Sequence, residues 1–177
     1  MINRYKTAIS RKKYSKPLRL ALLSGFVNLE TTVLDYGCGK GSDVSFLKED
    51  NIIACGYDPY YFPEINPFLN QEISHYQEIS QFDIVLLIYV LNVIECPKER
   101  LDLLKMCFNN SKQGLLVSVR LKRECPKMYQ EYGDGIITRK GTFQKFYTQD
   151  EFQSYLFDTL KIQPLVLSPG ISFISKI

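Results

Sequence analysis

Short blocks of apolar residues alternate along the chain with segments in which apolar residues recur at helical spacing. The longest block, 82–90, is nearly continuous isoleucine, valine and leucine, which is typical of a central strand covered on both faces. Similar shorter blocks at 32–36, 52–57 and 115–121 predict further buried strands. The pattern therefore predicts a sheet with a fully buried centre.

Helices are predicted between these strands from capping residues and from the spacing of apolar side chains. Ser15 and Pro17 have the pattern of an N-cap followed by a first-turn proline. A second helix is expected over 43–50, and a third begins at Pro97. A capping box at 148–151 opens a fourth helix.

This alternation of strands and helices predicts an α/β fold. We expect a Rossmann-like, doubly wound, mostly parallel seven-stranded sheet. A C-terminal antiparallel hairpin, formed by 162–167 and 171–177, is expected to close it. Two segments, 60–70 and 122–147, lack clear periodicity and are predicted to be loops or irregular structure. Long loops such as 122–147 often act as functional lids.

Length and charge divide the chain into one domain and a terminal arm. The 177 residues are 45% apolar and 23% charged, close to the average of soluble globular proteins. No acidic residue precedes Glu30, whereas seven of the 22 basic residues do. We therefore assign 1–14 to a basic arm and 15–177 to a single domain. Such an arm suits a polyanionic partner such as nucleic acid, or it is a solvated terminal segment.

The cysteine and histidine content and the lengths of the apolar runs limit which cellular compartment and which cofactors are expected. Five cysteines form no CxxC pair, and the single histidine is His75. We expect free thiols, no metal site, a structural His75 and a reducing, cytoplasmic location. The apolar run at 84–91 is well short of the roughly 20 residues of a membrane helix, and no apolar signal region follows the basic start. No membrane association is predicted.

A glycine-rich turn at 35–41 carries the chemistry. Its sequence, DYGCGKG, lies between a predicted strand and a helix, the context that a nucleotide-binding loop requires. The leading Asp35 disfavours a pyrophosphate and suits S-adenosylmethionine, which carries a sulfonium and an amine. Asp58 ends the next strand, where an acid typically accepts ribose hydroxyls. The predicted cofactor-binding residues are Asp35, Tyr36, Gly37, Cys38, Gly39, Gly41, Asp58, Pro59, Tyr89 and Asn92.

Seven segments spread over nearly the whole length form a family pattern. They are RYKTAISR at 4–11, DYGCG at 35–39, DPYY at 58–61, YVLNVIE at 89–95, SVRL at 118–121, YGDG at 132–135 and GTFQKFYTQ at 141–149. The chain resembles the class I S-adenosylmethionine-dependent methyltransferases, and within them the bacterial methyltransferases associated with DNA phosphorothioation. The resemblance implies the fold, the cofactor and methyl transfer. It implies no settled substrate, because the finer family is named for a gene neighbourhood.

Two common ways of methylating a nucleobase lack their motifs here. Methylation of exocyclic amines usually relies on an Asp/Asn-Pro-Pro-aromatic motif, where this chain has YVLN at 89–92. Methylation of pyrimidine carbon 5 usually relies on a Pro-Cys nucleophile, where this chain has the reversed pairs Cys96-Pro97 and Cys125-Pro126. Methylation of another oxygen, nitrogen or sulfur atom of the acceptor remains an open alternative.

Candidates for handling the methyl acceptor lie in the arm and in 122–147. Asp134 is a candidate general base or orienting group, with Tyr132 beside it; the alternative is an Asp-Gly turn with a packed tyrosine. The predicted substrate-binding residues are Lys6, Arg11, Lys12, Arg139 and Lys145. The favoured hypothesis is a methyltransferase acting on DNA, tRNA or a phosphate-bearing substrate, with a protein partner able to supply recognition. The alternatives are a small-molecule methyltransferase and a non-catalytic cofactor-binding subunit of a nucleic-acid modification complex.

Overall fold

The predicted apolar blocks form a central sheet whose buried strands carry the core. The structure is a computed structural model that describes residues 2–60 and 82–176. The strands are β1 (Thr32–Tyr36), β2 (Ile53–Tyr57), β3 (Ile84–Ile88), β4 (Gly114–Ser118), β5 (Gln130–Tyr132), β6 (Gly135–Ile137), β7 (Phe143–Gln144), β8 (Leu165–Ser168) and β9 (Ile171–Ser175). The helices are α1 (Lys16–Leu23), α2 (Ser42–Glu49), α3 (Pro97–Asn110) and α4 (Gln149–Leu160).

The predicted α/β class is confirmed. Within the described residues the central sheet has six strands in the order β2-β1-β3-β4-β9-β8. Strands β1 to β4 are parallel, and β9 returns antiparallel to β4 and pairs with β8 in the closing hairpin. The prediction of seven strands was wrong by one in this part of the chain. The remaining extended segments, β5 to β7, pair with one another instead of joining the central sheet.

The four helices cover both faces of the sheet, as a doubly wound fold requires. One face buries Leu18 and Ala21 of α1 with Val44 and Leu47 of α2. The other face buries α3 and α4, through residues such as Leu104 and Phe152. Two of the predicted caps form. The Ser15 side chain accepts a hydrogen bond from Leu18 N, and Thr148 and Glu151 make a reciprocal capping box.

A small sheet stands in the segment predicted to lack regular structure. Strands β5 and β6 form a hairpin across Gly133 and Asp134, with Gly133 at a φ of +56°, as expected when glycine opens a type II′ turn. Strand β7 completes the sheet in the order β5-β6-β7. These strands have only two or three residues each, too few to give a period-two signal in the sequence. We call β5–β7 with their connections the small sheet.

The predicted basic arm lies on the domain in the structure. The Arg4 guanidinium donates to Glu95 Oε2 at 2.9 Å and to both carboxylate oxygens of Glu99. Further along, Arg11 N donates to Ser42 Oγ at 3.0 Å, and Tyr14 Oη donates to Asp50 at 2.7 Å. These contacts hold the arm against the start of α3 and against both ends of α2.

Some sequence predictions fall outside the described residues. These are the irregular segment predicted at 60–70, apart from Tyr60, and the structural role of His75. None of the helices formed by the described residues is long and apolar enough to span a membrane.

The relative register of β1 and β3 is fixed by Asp83 at the start of β3. Its Oδ2 accepts hydrogen bonds from both Thr32 N and Thr32 Oγ1 at 2.8 Å, and Asp83 N donates back to Thr32 Oγ1 at 2.9 Å. Partial burial opposes ionisation, but the hydrogen bonds from Thr32 outweigh it and lower the pKa of Asp83. The ionised carboxylate therefore stabilises the fold.

We expect Asp83→Asn to lower the free energy of unfolding by about 1 kcal/mol at neutral pH, as for other lost hydrogen bonds to a charged group at a part-exposed site. Because the folded-state pKa is lowered, this stabilisation is present above the unfolded-state pKa and is lost as the pH falls through the folded-state pKa. The difference from wild type should therefore shrink between about pH 7 and pH 3 in urea titrations. Asp158→Asn, on an exposed carboxylate of α4, should change little; an Asp83→Asn effect that is independent of pH would contradict the assignment.

Candidate active site

A cavity of about 1690 Å³ opens at the carboxyl ends of the parallel strands. This is the edge where ligands bind in open α/β sheets. The arm, the glycine-rich turn, the end of β3, the start of α3 and the small sheet all contribute to its wall. The segments that the sequence singles out separately therefore meet around one space.

The glycine-rich turn has the tight geometry predicted for it. Gly37, Gly39 and Gly41 all have positive φ values, of +80°, +54° and +69°. Gly37 N donates to Tyr57 O at 2.7 Å, which closes the turn onto the end of β2. A Cβ built at Gly37 would lie 2.6 Å from Val90 Cγ2. Both the backbone conformation and the lack of space require glycine at this position.

Asp58 joins the glycine-rich turn to the segment after β2. Its Oδ2 accepts a hydrogen bond from Gly39 N at 2.9 Å, and its Oδ1 accepts one from Tyr60 N at 2.9 Å. Asp58 and Pro59 line the cavity together with Tyr36, Gly37, Cys38 and Gly39. A carboxylate fixed in this way at the cavity wall fits the predicted contact with ribose hydroxyls.

Asp35 lies beneath the turn and is not part of the cavity wall. It is buried, and its pKa is raised first by that burial and next by the nearby charge of Asp43, while Arg11 opposes the shift. Asp58 adds to the shift as a third carboxylate. Three acids close together favour a cation, which fits a cofactor with a positive centre. Gly41, also predicted to bind the cofactor, shapes the turn from outside the wall.

The thiol of Cys38 faces into the protein. A Cβ at Gly56 would lie 2.8 Å from its Sγ, which shows how tightly the thiol is packed against β2. Burial raises the pKa of Cys38, so the group is a thiol and not a thiolate at neutral pH. It shapes the turn and offers no nucleophile.

Tyr89 and Asn92 follow β3 and both line the cavity. Tyr89 has a φ of +60°, which is unusual for a residue with a bulky side chain. Asn92 is almost completely buried, and its backbone oxygen accepts a hydrogen bond from Lys145 N at 2.7 Å. The end of the central strand is thereby tied to the small sheet.

The two predicted catalytic residues lie on the hairpin of the small sheet, and neither is part of the cavity wall. Asp134 pairs with Arg100 Nη2 at 2.5 Å and with Lys145 Nζ at 2.9 Å. Burial opposes the ionisation of Asp134, but these hydrogen bonds outweigh it and lower its pKa. A low pKa makes a weak base. The contacts favour a structural role for Asp134, and the catalytic roles of Asp134 and Tyr132 stay predictions.

The predicted substrate-binding residues divide into two groups. Lys6, Arg11 and Arg139 line the cavity, whereas Lys12 and Lys145 do not. Lys145 pairs with Asp134 and with Glu151 at 2.8 Å, which explains its position away from the cavity. Four other cations of the wall were not predicted from the sequence to bind substrate: Arg4, Lys98, Arg120 and Lys127. The position of Arg120, directly after a buried strand, was the signal available in the sequence.

The described residues contain no grouping of three or more histidine, cysteine or carboxylate side chains that is arranged to hold a metal ion. Comparison with known proteins identifies the family of this chain. A profile described as "Methyltransferase domain" matches residues 7–158. The chain belongs to this methyltransferase family. The match covers the glycine-rich turn, β1 to β4, the small sheet and nearly all of α4.

Solved structures share the fold of this methyltransferase at low sequence identity. A SAM-dependent methyltransferase from Methanosarcina mazei has a TM-score of 0.60 at 18% identity, covering 87% of this chain and 94% of the other. A SAM-bound amino pentose methyltransferase from Micromonospora echinaspora has a TM-score of 0.62 at 11% identity, with coverages of 94% and 93%. Magnesium protoporphyrin IX methyltransferase from Synechocystis PCC 6803, with bound SAH, has a TM-score of 0.56 at 15% identity, with coverages of 97% and 91%. No curated protein matches this methyltransferase.

We expect Gly37→Ala in this methyltransferase to weaken cofactor binding about ten-fold or more, because the new methyl group meets Val90 and strains the turn. The matched control is Gly25→Ala. Gly25 has a similar φ of +76°, but a Cβ there meets nothing within 4 Å. Both variants carry the backbone penalty of about 1 kcal/mol, and only Gly37→Ala adds the clash. Urea titration and calorimetry with S-adenosylhomocysteine measure the two effects; equal loss in both variants would contradict the account.

The raised pKa of Asp35 predicts that cofactor affinity depends on pH. A bound cation favours the carboxylate form, so binding lowers this pKa and releases a proton from the fraction of protein that holds one. Affinity for S-adenosylmethionine should therefore rise as the pH is raised towards about 7, while the amine of the ligand stays charged. Calorimetry in two buffers of different ionisation enthalpy measures the proton release. Asp35→Asn should bind more weakly and lose this dependence, and an unchanged dependence in that variant would assign the proton to another group.

Proposed function

We propose that this protein is an S-adenosylmethionine-dependent methyltransferase whose acceptor carries an anionic group, as a nucleic acid or another phosphate-bearing substrate does. One observation carries the proposal: several cations without an ion-pair partner among the described residues line the cavity. Lys6 comes from the arm, Lys127 from the segment before β5, and Arg139 and Lys140 from the connection between β6 and β7.

The residues of the glycine-rich turn fit the cofactor. Asp58 is held by Gly39 N at the cavity wall, in position for hydroxyl groups. The buried Asp35, with Asp43 and Asp58 nearby, favours a positively charged ligand. The family match and the fold, which known structures with bound SAM or SAH share, support the same cofactor.

The chemistry asks little covalent work of the protein. S-adenosylmethionine supplies an electrophilic methyl group, and a nucleophilic atom of the acceptor displaces the sulfur in line. This chain binds and aligns the two partners, and alignment alone contributes much of the rate in such reactions. Tyr89 and Asn92 line the same cavity as Gly37 and are candidates for contacting the aligned ligands. The buried Cys38 thiol takes no part as a nucleophile.

A small anionic molecule is the second candidate for the acceptor. It is favoured by the position of the arm, whose Arg4 is bound by Glu95 and Glu99 and is thereby unable to contact a long polyanion. Two of the structures with this fold are named for small substrates, an amino pentose and a magnesium porphyrin. In this case the free cations of the cavity hold one anionic group of a compact acceptor.

Transfer of labelled methyl from S-adenosylmethionine to cellular DNA, tRNA and small-molecule fractions, run in parallel, tests the proposal. We expect label in one fraction and release of S-adenosylhomocysteine with it. Failure to bind S-adenosylmethionine at millimolar concentration would overturn the proposal, and binding without any transfer would support the non-catalytic subunit.

Two variants of the arm separate the acceptor classes. Lys6 lines the cavity and Lys12 does not, although both are exposed. Lys6→Gln should lower activity on either class of acceptor. Lys12→Gln should lower it only on a long polyanion, together with a steep dependence of activity on salt. Neither substitution should change the affinity for the cofactor.

A further inference from the structure

We propose that Arg120 binds a two-oxygen anionic group of the acceptor, a carboxylate or a phosphate, through the free edge of its guanidinium. The inference rests on the proposed function, because it assigns a recognition residue to the acceptor part of the same cavity. Arg120 directly follows β4 and lines the cavity, and its guanidinium carbon lies 5.0 Å from the centre of the Tyr89 ring.

The guanidinium of Arg120 is braced on one side. Its Nη1 donates to Glu124 Oε1 at 3.0 Å. The other carboxylate oxygen, Glu124 Oε2, accepts a hydrogen bond from Leu121 N at 2.8 Å. Glu124 is therefore tied to the backbone, and this partly exposed ion pair orients the Arg120 guanidinium.

Tyr89, whose ring lies against the Arg120 guanidinium, has a strained backbone conformation. Tyr89 has a φ of +60°, which costs energy for a residue with a bulky side chain. Its N–H donates to both the backbone oxygen and the hydroxyl of Ser118 at 3.1 Å, so β4 fixes the strained turn. Residues held in this way cluster at functional sites. Here the result is an aromatic ring on the cavity wall against the face of Arg120.

Most of the donors of Arg120 are left for a ligand. A guanidinium carries five N–H groups in a planar fork, which matches two oxygens of a carboxylate or phosphate. Among the described residues, Glu124 is the only hydrogen-bond partner of that fork. Glu124 occupies one edge of the Arg120 guanidinium and the Tyr89 ring covers one face. The remaining edge is left for a ligand in the cavity that Arg120 lines.

The carboxylate of the cofactor needs a different partner if this assignment holds. Arg11 suits that role, because it lines the cavity and its charge acts on Asp35 beneath the glycine-rich turn. Both arginines line the same cavity, Arg11 from the arm and Arg120 from the end of β4. Cofactor affinity therefore distinguishes them: it should depend on Arg11 and not on Arg120.

The test titrates small probes into the full chain loaded with S-adenosylhomocysteine. The probes are benzoate, phenyl phosphate and the neutral control benzamide. We expect one of the two anions to bind and benzamide to bind about ten-fold more weakly or not at all. The anion that binds identifies the group for which the site is built.

Three variants test whether Arg120 is the residue that binds the anion. Arg120→Gln should weaken the anion about ten-fold, and Arg120→Lys should recover only part of the loss because it keeps the charge without the fork. Lys122→Gln, a nearby exposed cation outside the cavity wall, should leave it unchanged. The affinity for S-adenosylhomocysteine should be equal in all of them, and circular dichroism melting curves should confirm that each variant is folded.

The outcomes separate this inference from the proposed function. If S-adenosylhomocysteine does not bind the wild-type chain, the proposed function fails, and the probes are titrated into the ligand-free chain with the same criteria. If neither anion binds, or if Arg120→Gln binds the anion as wild type does, the inference is overturned. A full recovery in Arg120→Lys would overturn the two-point recognition.

Discussion

Asp35 pairs in register with Gly56 of β2 on one side and with Leu86 of β3 on the other. Because all three strands run parallel, their following loops must emerge at the same edge of the sheet. The glycine-rich turn, Asp58 and Tyr89 are thereby brought around one cavity although they are far apart in sequence. Gly37 then has to pass within contact distance of Val90, which leaves no room for a side chain. The rest of the site depends on this close approach.

The cavity that results is electrostatically divided. Acidic groups lie under and beside the glycine-rich turn, where Asp35 is destabilised as an anion by burial and by Asp43. Cations line the walls contributed by the arm and the small sheet, among them Lys6 and Arg139. A cationic cofactor and an anionic acceptor would each meet the opposite charge. If the proposed acceptor is anionic, this division of charge would favour opposite placements of the two ligands.

The parts of the fold that could be predicted from sequence are those specified by local chemistry. Continuous apolar runs identify β1 to β4, the capping box at Thr148 identifies α4, and the glycine spacing identifies the cofactor loop. The small sheet escaped because its strands are too short to show a period. The ion-paired position of Asp134 could not be predicted for a related reason. Its partners, Arg100 and Lys145, lie on segments that come together only in the folded chain. Arg120 directly follows the buried strand β4, and this position was a sequence signal for a cavity residue that the prediction did not use.

The basic arm shows most clearly how folding changes the meaning of a charge count. Counted along the sequence, it is an uncompensated run of cations, which favours a polyanion. In the structure Arg4 is neutralised by Glu95 and Glu99, acids that follow it by more than ninety positions. The charge of Arg11 acts on the buried Asp35. The charge left for an acceptor is therefore smaller than the composition suggests, and part of it is directed into the cavity.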